Sequence, residues 1–313
     1  MAKILSAGRI EIRSGGESNG RPRNAPAPER CVSSDTRKLS GKLFHGDSLE
    51  VAALLPSNSF RLIYLDPPFL TGKLRSGPDE RYSFPDEWAG KINDYIPWLR
   101  ERIRRFHDLL LPDGSLVLHL DWRVAHYAKV MLDEIFGYEH FMNEIIWHYT
   151  GGGRSKRRFS CKHDTLLWYA KGQQPVFNLE KIRVPYKQTS RYAHSGIVSA
   201  AGKLYMPNPK GTPVDDVWDL PIINPLSRER VGYPTQKPVA LLERLVEALS
   251  NTGDLIADLF CGSGTTLVAA QKLARQWIGG DISPDAVSCA RKRLDIISSE
   301  STEVIDLISA SNL

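Results

Sequence analysis

The apolar run LIADLF at 255–260 breaks into Cys261-Gly262-Ser263-Gly264 and passes almost at once into a helical pattern from Leu267. A strand that becomes a helix across so short a turn belongs to a parallel sheet, where each helix carries the chain back to begin the next strand. The glycines leave backbone N–H groups unobstructed by Cβ and set a helix N-terminus before any negative charge that approaches. Further on, the strand WIGGDI at 277–282 ends near Asp281, where a carboxylate can accept hydrogen bonds from two ribose hydroxyls. The spacing predicts a nucleoside site. A dinucleotide fingerprint would need a third glycine where Leu267 stands, which disfavours NAD and favours a smaller adenosyl cofactor.

The same βα alternation occupies the first half of the chain. A helix is predicted over 49–55, a strand RLIYL over 61–65, a helix over 94–111, a strand over 115–120, a helix over 123–136 and a strand over 141–149. It resumes with helices at 239–249 and 284–297. RLIYL runs directly into Asp66-Pro67-Pro68-Phe69, at the carboxyl end of a buried strand, where α/β sheets place their ligand chemistry. The two prolines stiffen the backbone and donate no hydrogen bond. A carboxylate beside such free carbonyls suits an exocyclic NH₂ on an aromatic ring. One hydrogen goes to Asp66 and one to the Pro67 carbonyl, while Phe69 offers a face for stacking.

Charge divides the chain unevenly. Residues 150–210 hold 12 Lys and Arg against two acidic residues, a net +10, between segments 43–149 and 211–313 that each carry −5. Residues 1–42, rich in Gly, Ser, Pro and Arg, carry +5 and predict a flexible basic tail. An acidic core bearing a basic segment suits an enzyme that contacts a polyanion, and Arg154, Lys156, Arg157 and Arg158 beside a run of glycines are the candidate phosphate contacts. The four cysteines, Cys31, Cys161, Cys261 and Cys289, never form C-x-x-C, which argues against a zinc site or a disulfide scaffold. None follows a proline, so a cysteine-nucleophile route to cytosine C5 is disfavoured, and Cys261 is read as packing. No apolar run approaches the length of a membrane span or a signal peptide, so the expectation is a cytoplasmic protein without a membrane partner.

LDPPF at 65–69 and DLFCGSG at 258–264 together resemble the catalytic and S-adenosylmethionine motifs of amino-methylating DNA methyltransferases, which act on adenine N6 or cytosine N4. The order of catalytic motif, basic insertion and cofactor motif resembles the circularly permuted β group. HGDSLE at 45–50, LHLDWRVAHYAKVMLDEIFG at 118–137, NEIIWHY at 143–149, KHDTLLWYAK at 162–171 and GYPTQKPVALLERLV at 232–246 are similar to stretches of the family in matching order. The resemblance implies an α/β, Rossmann-like methyltransferase fold: a mostly parallel, seven-stranded, permuted sheet with an inserted basic target-recognition segment. The expected divisions are a tail at 1–41, a catalytic half at 42–149, a DNA-contact segment at 150–228, a cofactor half at 229–298 and a C-terminal tail at 299–313.

Carried over motif by motif, the resemblance implies that Asp66, Pro67, Pro68 and Phe69 hold a flipped base. Asp258, Phe260, Gly262, Gly264 and Thr265 would line the methionine part of S-adenosylmethionine, with Asp281 on its ribose and Asp47 reading its adenine amino group. Thr235 and Lys237 lie where the family contacts the cofactor carboxylate and packs the first motif. No metal is implied. The expected reaction is methylation of adenine N6 in double-stranded DNA, with cytosine N4 as the rival and RNA methylation or an idle DNA-binding fold as weaker readings. A homodimer and a cognate restriction endonuclease stay open as partners.

Overall fold

The computed structural model describes residues 40–70, 91–151, 154–187, 189–298 and 301–308, and the backbone of two short strands at 74–76 and 83–85. The tail expected at 1–41 therefore lies almost wholly outside the described residues.

In chain order the elements are β1 (Lys42–His45), α1 (Ser48–Ala53), β2 (Phe60–Leu65), β3 (Leu74–Ser76), β4 (Ser83–Pro85), α2 (Ile92–Leu109), β5 (Leu110–Leu120), α3 (Ala125–Phe136), β6 (Phe141–His148) and β7 (His163–Ala170). Then follow α4 (Arg191–Ser195), β8 (Ile197–Val198), β9 (Leu204–Tyr205), β10 (Val217–Asp219), α5 (Val239–Leu249), β11 (Leu255–Asp258), α6 (Thr265–Lys272), β12 (Gln276–Asp281), α7 (Pro284–Ile297) and β13 (Glu303–Asp306).

Nine strands form the main sheet in the order β10-β6-β7-β5-β2-β11-β12-β1-β13. Every neighbouring pair is parallel except those made by β7, which runs antiparallel to both β5 and β6. Strand β2 is buried at all six positions because both faces of the sheet are covered. Ile63 and Leu65 face one core with Leu99, Ile103 and Phe106 of α2 and Leu132 of α3. Leu62 and Tyr64 face the other with Leu241, Leu242 and Leu245 of α5 and Leu267 of α6.

The permuted α/β methyltransferase architecture expected from the motifs is present. Although β2 and β11 are far apart in sequence, they are parallel neighbours in register Ile256↔Leu62. The D-P-P-F segment and the glycine loop therefore leave the same end of adjacent strands, where an open α/β sheet forms its crevice.

Three details differ from the sequence reading. The main sheet has nine described strands rather than seven, because β10 and β13 each add an edge. The segment set apart at 150–228 is not separate from the core: it supplies β7, which sits inside the sheet between β5 and β6. A βα alternation test misses β7 because the chain reverses from β6 without a helix. The tail expected at 299–313 contains β13, which pairs parallel with β1, Lys42 opposite Glu303.

Candidate active site

A cavity of about 550 Å³ opens at the carboxyl ends of β1, β2, β11 and β12. Asp66, Pro67, Pro68 and Phe69 all line it, together with Asp47, Thr235, Lys237, Asp258, Phe260, Gly262, Thr265 and Asp281. Gly264 acts beneath the surface: its φ is +74°, and a Cβ there would meet the Cβ of Ala290 on α7 at 2.8 Å. Only glycine lets that turn settle against α7. Arg154, Lys156, Arg157 and Arg158 are exposed in the β6–β7 loop, outside the cavity.

The floor is built by short-range hydrogen bonds that follow from the chain order. Asp281, the last residue of β12, accepts from the Gly262 N–H at 2.8 Å and from the Ser283 N–H at 2.9 Å, tying the glycine loop to the neighbouring strand end. Burial pushes its carboxyl above the ordinary value. The parallel pairing of β1 with β12 places His45 opposite Asp281 and delivers Asp47 to the same rim. Asp47 caps α1 through the Leu49 N–H at 2.8 Å and pairs with Arg102 of α2 at 2.6 Å. Arg102 also lies over the ring of Trp98, 4.2 Å from its centroid, and Trp98 packs on Phe260 with centroids 5.8 Å apart.

Asp258 ends β11 fully buried. Its carboxyl is pushed up to about 7, chiefly by burial, against hydrogen bonds from Thr266 and the Phe260 N–H. Cys261 lines the cavity as a buried thiol, and burial first, then the charges of Asp281 and Asp258, drives its acidity well down. That fits packing and not a nucleophile.

At the catalytic rim, Lys237 Nζ donates to Asp66 Oδ2 and sits 5.0 Å from the centroid of the Phe69 ring. The Lys237 carbonyl accepts from Thr265 Oγ1 at 3.2 Å, which joins the segment before α5 to the first turn of α6. Thr235 holds a left-handed backbone with φ of +62° on the way into this segment. No hydrogen bond among the described residues uses the Pro67 carbonyl.

Arg293 and Trp98 are absent from the sequence reading, whereas Tyr233, His119 and Asp164 fall within its family-like stretches at 232–246, 118–137 and 162–171. Arg293 of α7 reaches back to the Ser263 carbonyl at 2.7 Å and to Thr265 Oγ1 at 3.0 Å. Trp98 and Tyr233 complete the walls. Behind Phe69, fully buried His119 stands 5.8 Å from its ring. Tyr64 Oη lies 2.6 Å from His119 Nδ1, and Asp164 Oδ2 lies 3.3 Å from Nε2. Asp164 also accepts from the Tyr149 hydroxyl at 3.1 Å. With Asp164 as acceptor the imidazole donates from Nε2 and receives the Tyr64 proton at Nδ1. Burial works to raise the Asp164 carboxyl, but the His119 hydrogen bond and the nearby Lys237 charge hold it below the usual range. His119 and Asp164 thus support the rim from behind, as hydrogen-bonded positioning groups.

The chemistry of the donors suits S-adenosylmethionine. Carboxylates at Asp47 and Asp281 would take its hydroxyl and amino donors, buried Asp258 its ammonium and the glycine turn its carboxylate, while Trp98 and Phe260 offer aromatic surface. No metal-binding group of three or more His, Cys, Asp or Glu occurs among the described residues.

Comparison with known proteins agrees with this geometry. Residues 60–292 match the N6/N4 family model described as DNA methylase. The type II methyltransferase M.HpaI of Haemophilus parainfluenzae is 31% identical over 258 residues, covering 82% of this chain and 75% of the relative. The DNA adenine methyltransferase YhdJ of Escherichia coli is 31% identical over 263 residues, covering 83% and 85%. Among solved structures, the complex of M1.HpyAVI with SAM superposes with a TM-score of 0.53 at 22% identity, covering 81% of this chain and 98% of that one. This last likeness is one of fold.

Proposed function

The chain belongs to the N6/N4 DNA methylase family, and from that premise we propose that it transfers a methyl group from S-adenosylmethionine to the exocyclic N6 of an adenine flipped out of double-stranded DNA. The observation that carries the reading is the meeting of Asp66-Pro67-Pro68-Phe69 with the glycine loop in one cavity.

S-adenosylmethionine supplies an electrophilic methyl on a sulfonium. Asp47, Trp98 and Phe260 would hold its adenine end, Asp281 its ribose, and Asp258, Gly262, Thr265, Thr235 and Lys237 its amino-acid end. Asp66 and the Pro67 carbonyl each accept one hydrogen of the target amine, so its lone pair turns out of the ring plane. As the nitrogen–methyl bond forms, the carbon–sulfur bond breaks and its electron pair stays on a neutral thioether; the resulting nitrogen cation sheds a proton, which Asp66 is placed to accept. Phe69 stacks on the base, and Pro68 stiffens the turn that sets both acceptors. Catalysis here is positioning and electrostatics. Duplex DNA hides its amino groups, so the base leaves the stack before it reaches Asp66, at a cost of a few kcal/mol.

The adenine assignment draws on the name of YhdJ, and the acceptor geometry would equally serve cytosine N4. The segment at 150–228, with Arg154, Lys156, Arg157 and Arg158, is proposed to contact DNA phosphates. The type II name of M.HpaI supports a cognate restriction endonuclease as partner. A DNA substrate supports a cytoplasmic location for the reaction. No helix of the described residues is long and apolar enough to cross a membrane.

The test is incubation of the purified protein with labelled S-adenosylmethionine and unmethylated genomic DNA, then nucleoside digestion and mass spectrometry. N6-methyladenine is the expected product. N4-methylcytosine would overturn the base, and no methylated nucleoside would overturn the reading.

A further inference from the structure

The β6–β7 loop carries an aromatic side chain that the site does not use. Phe159 is 98% exposed at the end of the run Arg154-Ser155-Lys156-Arg157-Arg158, every member of which is exposed. The loop is shaped to hold it out. The Ser155 hydroxyl accepts from the Arg157 and Arg158 N–H groups, each at 3.2 Å, and the Ser155 N–H donates to Ser160 Oγ at 3.0 Å. A closed turn thus spans 155–160 and leaves Phe159 nothing to pack on.

Its place in the fold says what it faces. Strand β6 runs in the same direction as β5 and β2, so the loop that follows it rises at the end of the sheet where Asp66 stands. Arg158 lies over Trp122, 5.2 Å from the ring centroid, and Trp122 comes two residues after the end of β5. Pairing of Leu65 with Leu118 sets Asp66 beside His119 on that same pair of strands. At the base of the loop, Tyr149 donates to Asp164, which in turn contacts His119 behind Phe69. Arg158 is thus held beside the end of β5, at the end of the sheet where Asp66 stands, with the exposed Phe159 ring next to it in the loop.

We propose that Phe159 inserts into the DNA base stack beside the target and occupies the space the flipped base vacates, while the neighbouring Arg and Lys side chains hold the phosphates. An apolar wedge within a cationic loop can offset part of the lost stacking, as other DNA-bending and base-extruding proteins do with Phe, Leu or Met. This inference rests on the DNA methyltransferase reading above and adds a role that the cavity residues do not fill.

The experiment compares the full-length protein with Phe159→Ala and Phe159→Leu. The site methylated in genomic DNA is first located, then placed in two duplexes: one fully paired, the other with the target base opposite an abasic position. Single-turnover methyl transfer is measured on both. Phe159→Ala should slow transfer on the paired duplex about tenfold and by less than about twofold on the pre-opened one, with Phe159→Leu close to wild type on both. Equal slowing on the two duplexes, or none on the paired one, would overturn the wedge while leaving the methyltransferase reading intact. A change in oligomeric state on Phe159→Ala with flipping unaffected would assign the ring to a protein interface instead and overturn the proposal. A wild-type protein that methylates neither duplex would overturn both readings together.

Discussion

Lys237 Nζ donates to Asp66 Oδ2 across a sequence separation of 171, so the segment entering α5 places a cation on the carboxylate at the end of β2. Lys237 is buried and Asp66 nearly so. The pair fixes one carboxylate oxygen, and among the described residues the other has no donor, which suits an incoming amine. Replacing Lys237 by Met should therefore lower methyl transfer on DNA more than it lowers S-adenosylmethionine affinity. It should also destabilise the fold by about 1–3 kcal/mol, because Asp66 is left with an uncompensated charge in a partly buried site. Stopped single-turnover assays and thermal melts read the two effects separately.

The Tyr64–His119–Asp164 chain supports Phe69 from behind. Tyr64→Phe keeps the packing and removes one hydrogen bond, so turnover should fall roughly three- to tenfold with cofactor affinity unchanged, a loss of about 1 kcal/mol. His119→Ala opens a cavity under Phe69 and should cost about 2–4 kcal/mol of stability in denaturant titrations. Wild-type turnover in Tyr64→Phe would remove the network from the account.

Asp258 makes stability fall as pH rises. Its folded carboxyl titrates at about 7, above the ordinary value of 3.8, so between those values the folded state binds a proton that the unfolded chain has lost. Stability is greatest below the unfolded value and declines toward pH 7, with a slope of at most about 1.4 kcal/mol per pH unit from this one group. Asp258→Asn should flatten that portion of the curve in melts between pH 4.5 and 7. A slope unchanged by the substitution would show that another group titrates there.

Neutralising Arg154, Lys156, Arg157 and Arg158 together should weaken DNA binding. It should also shallow the plot of log affinity against log salt by about 0.9 for each phosphate contact removed. Fluorescence anisotropy on a duplex at several salt concentrations measures the slope. An unchanged slope would return these side chains to a solvated surface.

Sequence reading reached what local patterns encode. LIADLF with its following glycines announced β11 and α6, and RLIYL announced β2, because a strand buried on both faces is apolar throughout. Strand β7 escaped because KHDTLLWYAK follows a cationic loop with no helix between it and β6, and βα alternation cannot register an antiparallel neighbour. Strand β13 is four residues long and polar at both ends, too short to show a period. The residues that complete the site are a matter of topology: Arg293 reaches the glycine loop from α7, and Tyr64 meets His119 only because β2 and β5 are neighbours. Such contacts leave no trace in spacing along the chain.

The central claim is that Asp66 receives the target amine and has no essential part in holding the cofactor. Its most direct test is methyl transfer from labelled S-adenosylmethionine to unmethylated genomic DNA by wild-type protein and by Asp66→Ala, with cofactor affinity measured on both by calorimetry. The account predicts N6-methyladenine from the wild type, at least about a thousandfold slower transfer by Asp66→Ala, and cofactor affinities within about threefold of each other. Turnover retained in Asp66→Ala, or cofactor binding lost along with it, would contradict the role assigned to this carboxylate.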